Sequence, residues 1–343
     1  MASSHLFHLS QQKPQNKTQG GMRLVAAKHN FPTLKGMSFY KLTLFPKGIR
    51  EPHWHANADE LGYCLKGEAL VTFYGTGNLR EVFLVKAGEA FFIPSGYLHQ
   101  IVNTGAEESE LILQFSSDEP EDFALSSTFG MFSDAVLGNT WGVTKSVFAE
   151  MQRSTKELFA TLQEMPVCIP ENARYANPYR FDLQNSSPLI VNEGGCAKVA
   201  RQDGWPILRC QALYFLLLTG TGMREPHWHP ETAELGFVRT GRGRMSIMSP
   251  DRSVDTYEMS AGDIYFIPKG YPHHIENLEN EEELELLIFF DKAMPEDIGF
   301  TASVKSSTDE VLASVLSVLP SFFKSLPTYH EDLFIVKKVN QPD

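Results

Sequence analysis

Short segments of alternating apolar and polar residues run through the chain, separated by Gly, Pro and Asn; residues 37–45, 61–65, 69–74, 82–85, 90–93 and 110–115 are examples. Alternation with a period of two puts one face of an extended strand inside and the other outside. Many short strands with turn signals between them predict an antiparallel sandwich or barrel, and hence an all-β fold. Other stretches depart from this pattern. Residues 133–159, with Ala, Val, Leu and Phe at helical spacing, predict a helical connection. Residues 309–324 predict closing helices that end at Pro327. Residues 165–187, rich in Pro and Asn, predict an irregular linker, and residues 329–339 an extra strand or an arm.

The pattern occurs twice. Gly48-Ile49-Arg50-Glu51-Pro52-His53-Trp54-His55 returns as Gly222-Met223-Arg224-Glu225-Pro226-His227-Trp228-His229. Glu60-Leu61-Gly62 returns as Glu234-Leu235-Gly236, and His99 and Asn103 return as His273 and Asn277. Each pair lies 174 positions apart, with no gap from Gly20 to Asn103, so the chain is a duplication. Its expected parts are a flexible tail over 1–19, a first barrel with a trailing helical segment over 20–150, and a linker over 151–193. A second barrel with trailing helices over 194–326 and a C-terminal arm over 327–343 complete the chain.

The duplicated motif carries the candidate chemistry. His53 and His55 are two apart, so on a strand both imidazoles leave one face while Trp54 leaves the other. Trp54 and Trp228 are expected to pack between sheets or at a subunit contact. Glu60 is far enough along to round a turn back to the histidine face, and His99 arrives from a later strand. Three imidazoles and a carboxylate hold a six-coordinate metal ion with two positions open. The second set is His227, His229, Glu234 and His273. Six of the eleven histidines fall into these sets. His5, His8, His29, His274 and His330 are given no role.

The composition narrows the function. A charge of −12, from 42 acidic and 30 basic side chains, argues against nucleic-acid and anionic-membrane surfaces. Residues 1–21 are polar, without the apolar core of a secretory signal, and no apolar run approaches a membrane span. Cys64, Cys168, Cys196 and Cys210 form no regular framework and read as reduced thiols in a cytoplasmic protein.

These motifs resemble the cupin superfamily, through Gly48…His53-x-His55-x4-Glu60…Gly67 and Gly88…Pro94-x-Gly96-x2-His99-x3-Asn103 and their repeats. The Arg-Glu-Pro-His-Trp-His wording and Trp141-Gly142-Val143-Thr144 are similar to the oxalate decarboxylase-type bicupins. The resemblance covers about residues 20 to 320. It implies two tandem jelly-roll barrels with short connecting and C-terminal helices. It also implies Mn(II) in each barrel, with Fe(II), Ni(II) and Zn(II) as alternatives, and a homo-trimer or hexamer.

In that family the arginine three residues before the His pair binds a carboxylate substrate; Arg50 and Arg224 match it. A guanidinium fork suits a small carboxylate; the alternative is that each arginine pairs with Glu51 or Glu225. The family's lid glutamate, which handles the proton, aligns with Leu125 in Ala124-Leu125-Ser126-Ser127-Thr128. Leucine carries no proton, so Glu119, Glu121 and Asp122 are the lid candidates. Pro295-Glu296-Asp297 is similarly acidic after the second barrel.

Three functions are open at this point. The leading one is a metal-dependent lyase that decarboxylates oxalate or a similar small carboxylate, with O2 as a further partner. Oxidation of the same substrate, or another dioxygenase or isomerase reaction, is the second. A storage-type bicupin is the third, and it is disfavoured by two complete ligand sets. If one barrel alone is active, the first is preferred, because the lid-like segment follows it.

Overall fold

The six alternating segments all form strands, each within two residues of the expected bounds. In this computed structural model, residues 3–151, 153, 159–163 and 168–340 are described. The first half contributes β1 (Leu6–Phe7), β2 (Gly21–Ala26), β3 (Ser38–Leu44), β4 (Gly48–His55), β5 (Glu60–Lys66), β6 (Glu68–Tyr74) and β7 (Arg80–Lys86). It continues with β8 (Glu89–Ile93), β9 (Leu98–Asn103), β10 (Ser109–Phe115), β11 (Asp122–Ala124), β12 (Phe159–Thr161) and β13 (Arg180–Asp182). The second half contributes β14 (Ile190–Asn192), β15 (Gly195–Ala200), β16 (Ala212–Leu218), β17 (Gly222–Trp228), β18 (Glu234–Thr240) and β19 (Arg242–Met248). It ends with β20 (Val254–Ser260), β21 (Ile264–Ile267), β22 (His273–Asn277), β23 (Leu284–Phe290), β24 (Ile298–Gly299) and β25 (Ile335–Lys337).

Two units result, residues 11–185 and residues 1–10 with 186–343. In the first, a sheet ordered β13-β8-β5-β10-β3-β2 pairs with one ordered β11-β4-β9-β6-β7, and β12 also pairs with β4. In the second, β1-β21-β18-β23-β16-β15-β14 pairs with β20-β19-β22-β17-β24, with β25 on β17. Each unit is a double-sheet jelly roll. Phe73, Phe83, Phe91 and Phe115 fill the first core, and Met245, Met259, Tyr265 and Phe290 the second. Each such side chain, removed from water, contributes about 1.5–3 kcal/mol. The motif asparagines are structural. Asn103 Nδ2 donates to the carbonyls of Leu44, Phe45 and Glu107, and Asn277 does the same to Leu218, Thr219 and Glu282.

Several expectations are corrected at the edges, where pairing partners are remote in sequence. The expected flexible tail is held: β1 pairs with β21, His5 bonds the Phe266 carbonyl, and Gln15 bridges to Arg23. The helical segment 133–159 is shorter. A helix α1 (Leu125–Met131) precedes it, and α2 (Asp134–Trp141) ends at Gly142, which takes a left-handed conformation. Phe159 belongs instead to β12; residues 152 and 154–158 lie outside the described residues. The linker 165–187 includes β13, which extends the sheet of the first barrel at β8; residues 164–167 lie outside the described residues. The stretch beyond the second barrel holds α3 (Phe300–Ser303), α4 (Asp309–Leu316) and α5 (Pro320–Lys324). Of the extra strand or arm at 329–339, the strand is realised as β25. No helix among the described residues is long and apolar enough to cross a membrane.

Candidate metal centres

The histidine pair and the arginine before it sit on one strand, β4, yet strand parity alone separates them. Arg50 is three residues from His53, so unbroken alternation would turn their side chains to opposite faces. The β4–β9 register shifts between Arg50 and His53, across Pro52, whose nitrogen has no hydrogen to give to the ladder. This bulge inverts the phase, and Arg50, His53 and His55 are all buried against the same cavity. The second barrel repeats the device between Arg224 and His227, across Pro226.

The ligand atoms of His53, His55, Glu60 and His99 lie within 4.8 Å of one another, as do those of His227, His229, Glu234 and His273. In both barrels the three imidazole centroids are 4.1, 5.0 and 5.5 Å apart. Nδ1 of His53 donates to the Glu51 carbonyl at 2.8 Å and Nδ1 of His99 to that of Tyr97 at 2.9 Å. His227 and His273 make the matching bonds to Glu225 and Tyr271. These bonds place the proton on Nδ1 and leave the Nε2 lone pair for the centre. Burial first, then the adjacent arginine, holds His53 and His227 well below the usual imidazole range, so both are neutral. Burial would raise Glu60 and Glu234, but the neighbouring histidines outweigh it and keep both far below the carboxylate range.

A metal ion fits this arrangement. Glu60 Oε1 and His273 Nε2 are buried without a hydrogen-bond partner, a costly condition that a coordinate bond would relieve. Neutral imidazoles with one carboxylate suit Mn(II), Fe(II), Ni(II) or Zn(II). The centres differ in one bond: Tyr265 donates to Glu234 Oε1 at 2.7 Å, while the matching position in the first barrel is Phe91.

Beside each cluster is a small cavity of about 10 Å³, room for about one water. Arg50 lines one and Arg224 the other. Their carboxylate partners are Asp122, at 2.7 Å from Arg50 Nη2, and Asp297, at 2.8 Å from Arg224 Nη2. Glu51 accepts from the Ser126 N–H and Glu225 from Thr301 and Phe334, anchoring the segments that follow each barrel. Burial would raise Asp122 and Asp297, but the arginines and histidines outweigh it and lower both.

Of the lid candidates, Asp122 alone is brought to the site. It lies on β11 opposite His55, with Oδ1 3.9 Å from His55 Nδ1. Glu119 binds His29 on the surface at 2.9 Å, and Glu121 is exposed. Leu125 opens α1 and lines a separate hollow with Pro52, Leu98 and His99. The tryptophans point away from the clusters: Trp54 stacks on Phe123 at 5.5 Å, and Trp228 meets Phe300 edge-on at 6.1 Å. Sequence reasoning marked Asp297 only as part of an acidic stretch and gave no role to Tyr265 or Arg23, the last of which lines the first cavity. The 174-residue offset held the signal for the last two, since it sets Phe91 against Tyr265 and Arg23 against Ala197.

A family model described as Cupin matches residues 7–147 and again residues 181–321. The chain belongs to the cupin family. This bicupin is 27% identical to the oxalate decarboxylase OxdC of Bacillus subtilis (strain 168) over 282 residues, 80% of this chain and 72% of the relative. A probable oxalate decarboxylase of Arthroderma benhamiae is 25% identical over 299 residues, 84% of this chain and 73% of the relative. Oxalate oxidase GF-2.8 of Triticum aestivum matches at 38% over 88 residues, 25% of this chain and 39% of that one. Among solved structures, B. subtilis oxalate decarboxylase at pH 4.6 superposes with a TM-score of 0.85 at 24% identity, over 98% of this bicupin and 88% of that chain. Another structure of that enzyme, with a TM-score of 0.86 and 24% identity over 98% and 90% of the chains, concerns its Mn(II) centers.

Proposed function

We propose that this bicupin is a Mn(II)-dependent lyase that converts oxalate and a proton into formate and CO2. The carrying observation is a buried guanidinium sharing a small cavity with a four-ligand cluster in each barrel. Each cavity holds little more than a water-sized space, about 10 Å³, which favours a small substrate over an aromatic one. Two curated relatives that match most of the chain point to the same substrate, and the Mn(II) centers of the B. subtilis enzyme support that metal.

His53, His55, Glu60 and His99 would hold the ion in the first barrel, and His227, His229, Glu234 and His273 in the second. The ion supplies Lewis acidity and access to one-electron chemistry when bound. Arg50 and Arg224 bind and orient a substrate carboxylate through charge-assisted bonds, while the closed jelly roll limits water. Of the three lid candidates, Asp122 is the one beside the first site and is assigned the proton; Leu125 cannot carry it.

That leucine also supports a second reading, oxidation of oxalate with O2 and two protons to two CO2 and hydrogen peroxide. A cytoplasmic homo-trimer or hexamer belongs to the same proposal. It is supported by the lack of a cysteine framework and by apolar side chains exposed on α4 and just beyond it, among them Val315 and Leu319. The test is metal analysis of purified protein, then oxalate turnover with formate, CO2 and peroxide all quantified. Formate with CO2 supports the lyase and peroxide supports the oxidase. Neither product, with two Mn(II) per chain, refutes oxalate as the substrate.

A further inference from the structure

We infer that Arg23 and Arg50 form a two-arginine cradle for one carboxylate of a dianionic substrate, which makes the first barrel the tighter oxalate site. This rests on the proposed oxalate reading. Arg23 lies on β2 and lines the cavity that also holds Arg50, His53, His55 and Glu60. Its guanidinium sits over the Tyr40 ring, 5.1 Å from the centroid. Its Nη1 is 3.2 Å from Asp122 Oδ2, the oxygen that Arg50 Nη2 approaches at 2.7 Å. One carboxylate is therefore held between two guanidinium groups beside the ligand cluster. A substrate carboxylate has the same charge and the same acceptor geometry, and on binding it takes the place of Asp122 between them.

The second barrel lacks the cradle. The equivalent of Arg23 is Ala197, which lines the second cavity. Its strand position matches: Arg23 is opposite Leu42 and Ala197 is opposite Leu216. Around the first cavity two arginines balance Glu60 and Asp122. Among the residues lining the second, Arg224 is the guanidinium beside Glu234 and Asp297. The lining of the first cavity thus offers an incoming dianion one more guanidinium than that of the second.

Calorimetric titration of the full-length, metal-loaded protein with oxalate, and separately with acetate, tests the cradle. The wild type should bind oxalate at two sites of unequal affinity. Arg23→Ala should weaken the tighter site about tenfold or more, the scale of a hydrogen bond to a charged group, and weaken oxalate binding more than that of acetate, which has no second carboxylate to place at the cluster while the first lies in the cradle. Arg23→Lys should recover part of the loss. Metal content and circular dichroism report whether each variant is folded and loaded. If Arg23→Ala leaves oxalate binding as it was, or weakens oxalate and acetate alike, the cradle is overturned while the oxalate reading stands. If the loaded wild type binds no oxalate, the functional reading falls and this inference with it.

Discussion

The Tyr265 hydroxyl donates to Glu234 Oε1 at 2.7 Å, whereas Glu60 Oε1 is buried without a hydrogen-bond partner among the described residues. The ligand sets are the same, but the carboxylate's Oε1 is hydrogen-bonded in one barrel and not in the other. A bond to a ligating carboxylate orients it and tunes the metal. The two centres should therefore differ in how firmly they hold an ion.

Removing that bond should loosen the second centre. Tyr265→Phe is expected to weaken metal binding there by about 10–100-fold. A chelator challenge in a Glu60→Ala background, with residual metal counted, isolates the second barrel. Retention equal to that of the same background with Tyr265 intact would show that the bond has no such role.

Arg50 reaches the cavity as a planar fork, and a lysine cannot reproduce that geometry. Arg50→Lys should lower kcat/KM for oxalate about tenfold to a hundredfold while leaving two metal ions per chain. Steady-state kinetics with metal analysis decide it. A parallel loss of metal would make Arg50 a support for the cluster.

Leu125 stands where the family resemblance places a proton-handling glutamate. Leu125→Glu should raise the ratio of formate to peroxide about a hundredfold, the lower end of the range for general acid–base catalysis. Product analysis on one preparation reads this ratio directly. An unchanged ratio would mean that Asp122, or another group, already moves the proton.

Gly236 is required by close packing. A Cβ there would lie 2.1 Å from the Tyr265 ring, and one at Gly62 would lie equally close to Phe91. Gly236→Ala should cost about 1–3 kcal/mol by overpacking and lower the Tm by about 2–4 °C per kcal/mol in a unit of this size. Differential scanning calorimetry measures it, and an unchanged Tm would mean that the ring moves aside freely.

Acid should destabilise the metal-free protein in stages. His53 and His227 have folded pKa values lowered below the ordinary 6.5. Their contribution is intact above pH 6.5 and is lost below it, as the unfolded chain gains protons that the folded one refuses. Glu60 and Glu234, lowered from 4.5, add a second loss below that pH. His229 runs the other way. Burial would lower it, but Asp297 and Glu234 raise it to about 9, so its contribution is full below pH 6.5 and lost as pH rises through 9. Denaturant melts across this range, repeated on a His53→Gln/His227→Gln variant, should show a shallower fall between pH 6.5 and 4.5.

The amino-acid sequence by itself determined the duplication, the strands of both barrels and the two ligand sets. These follow from local rules. Alternation marks a strand, and His53 and His55 share a face because they are two apart on one. What tertiary structure alone decided lies where partners are remote. Asp122 meets Arg50 across 72 positions and Asp297 meets Arg224 across 73, through short edge strands whose pairing no local pattern encodes. β1 joins the sheet of the second unit, and β12 and β25 add to the ligand-bearing strands. The bulge at Pro52 is the sharpest case. Parity places Arg50 on the wrong face, and only the observed register with β9 returns it to the metal site, because a one-residue slip in a ladder inverts every side chain beyond it.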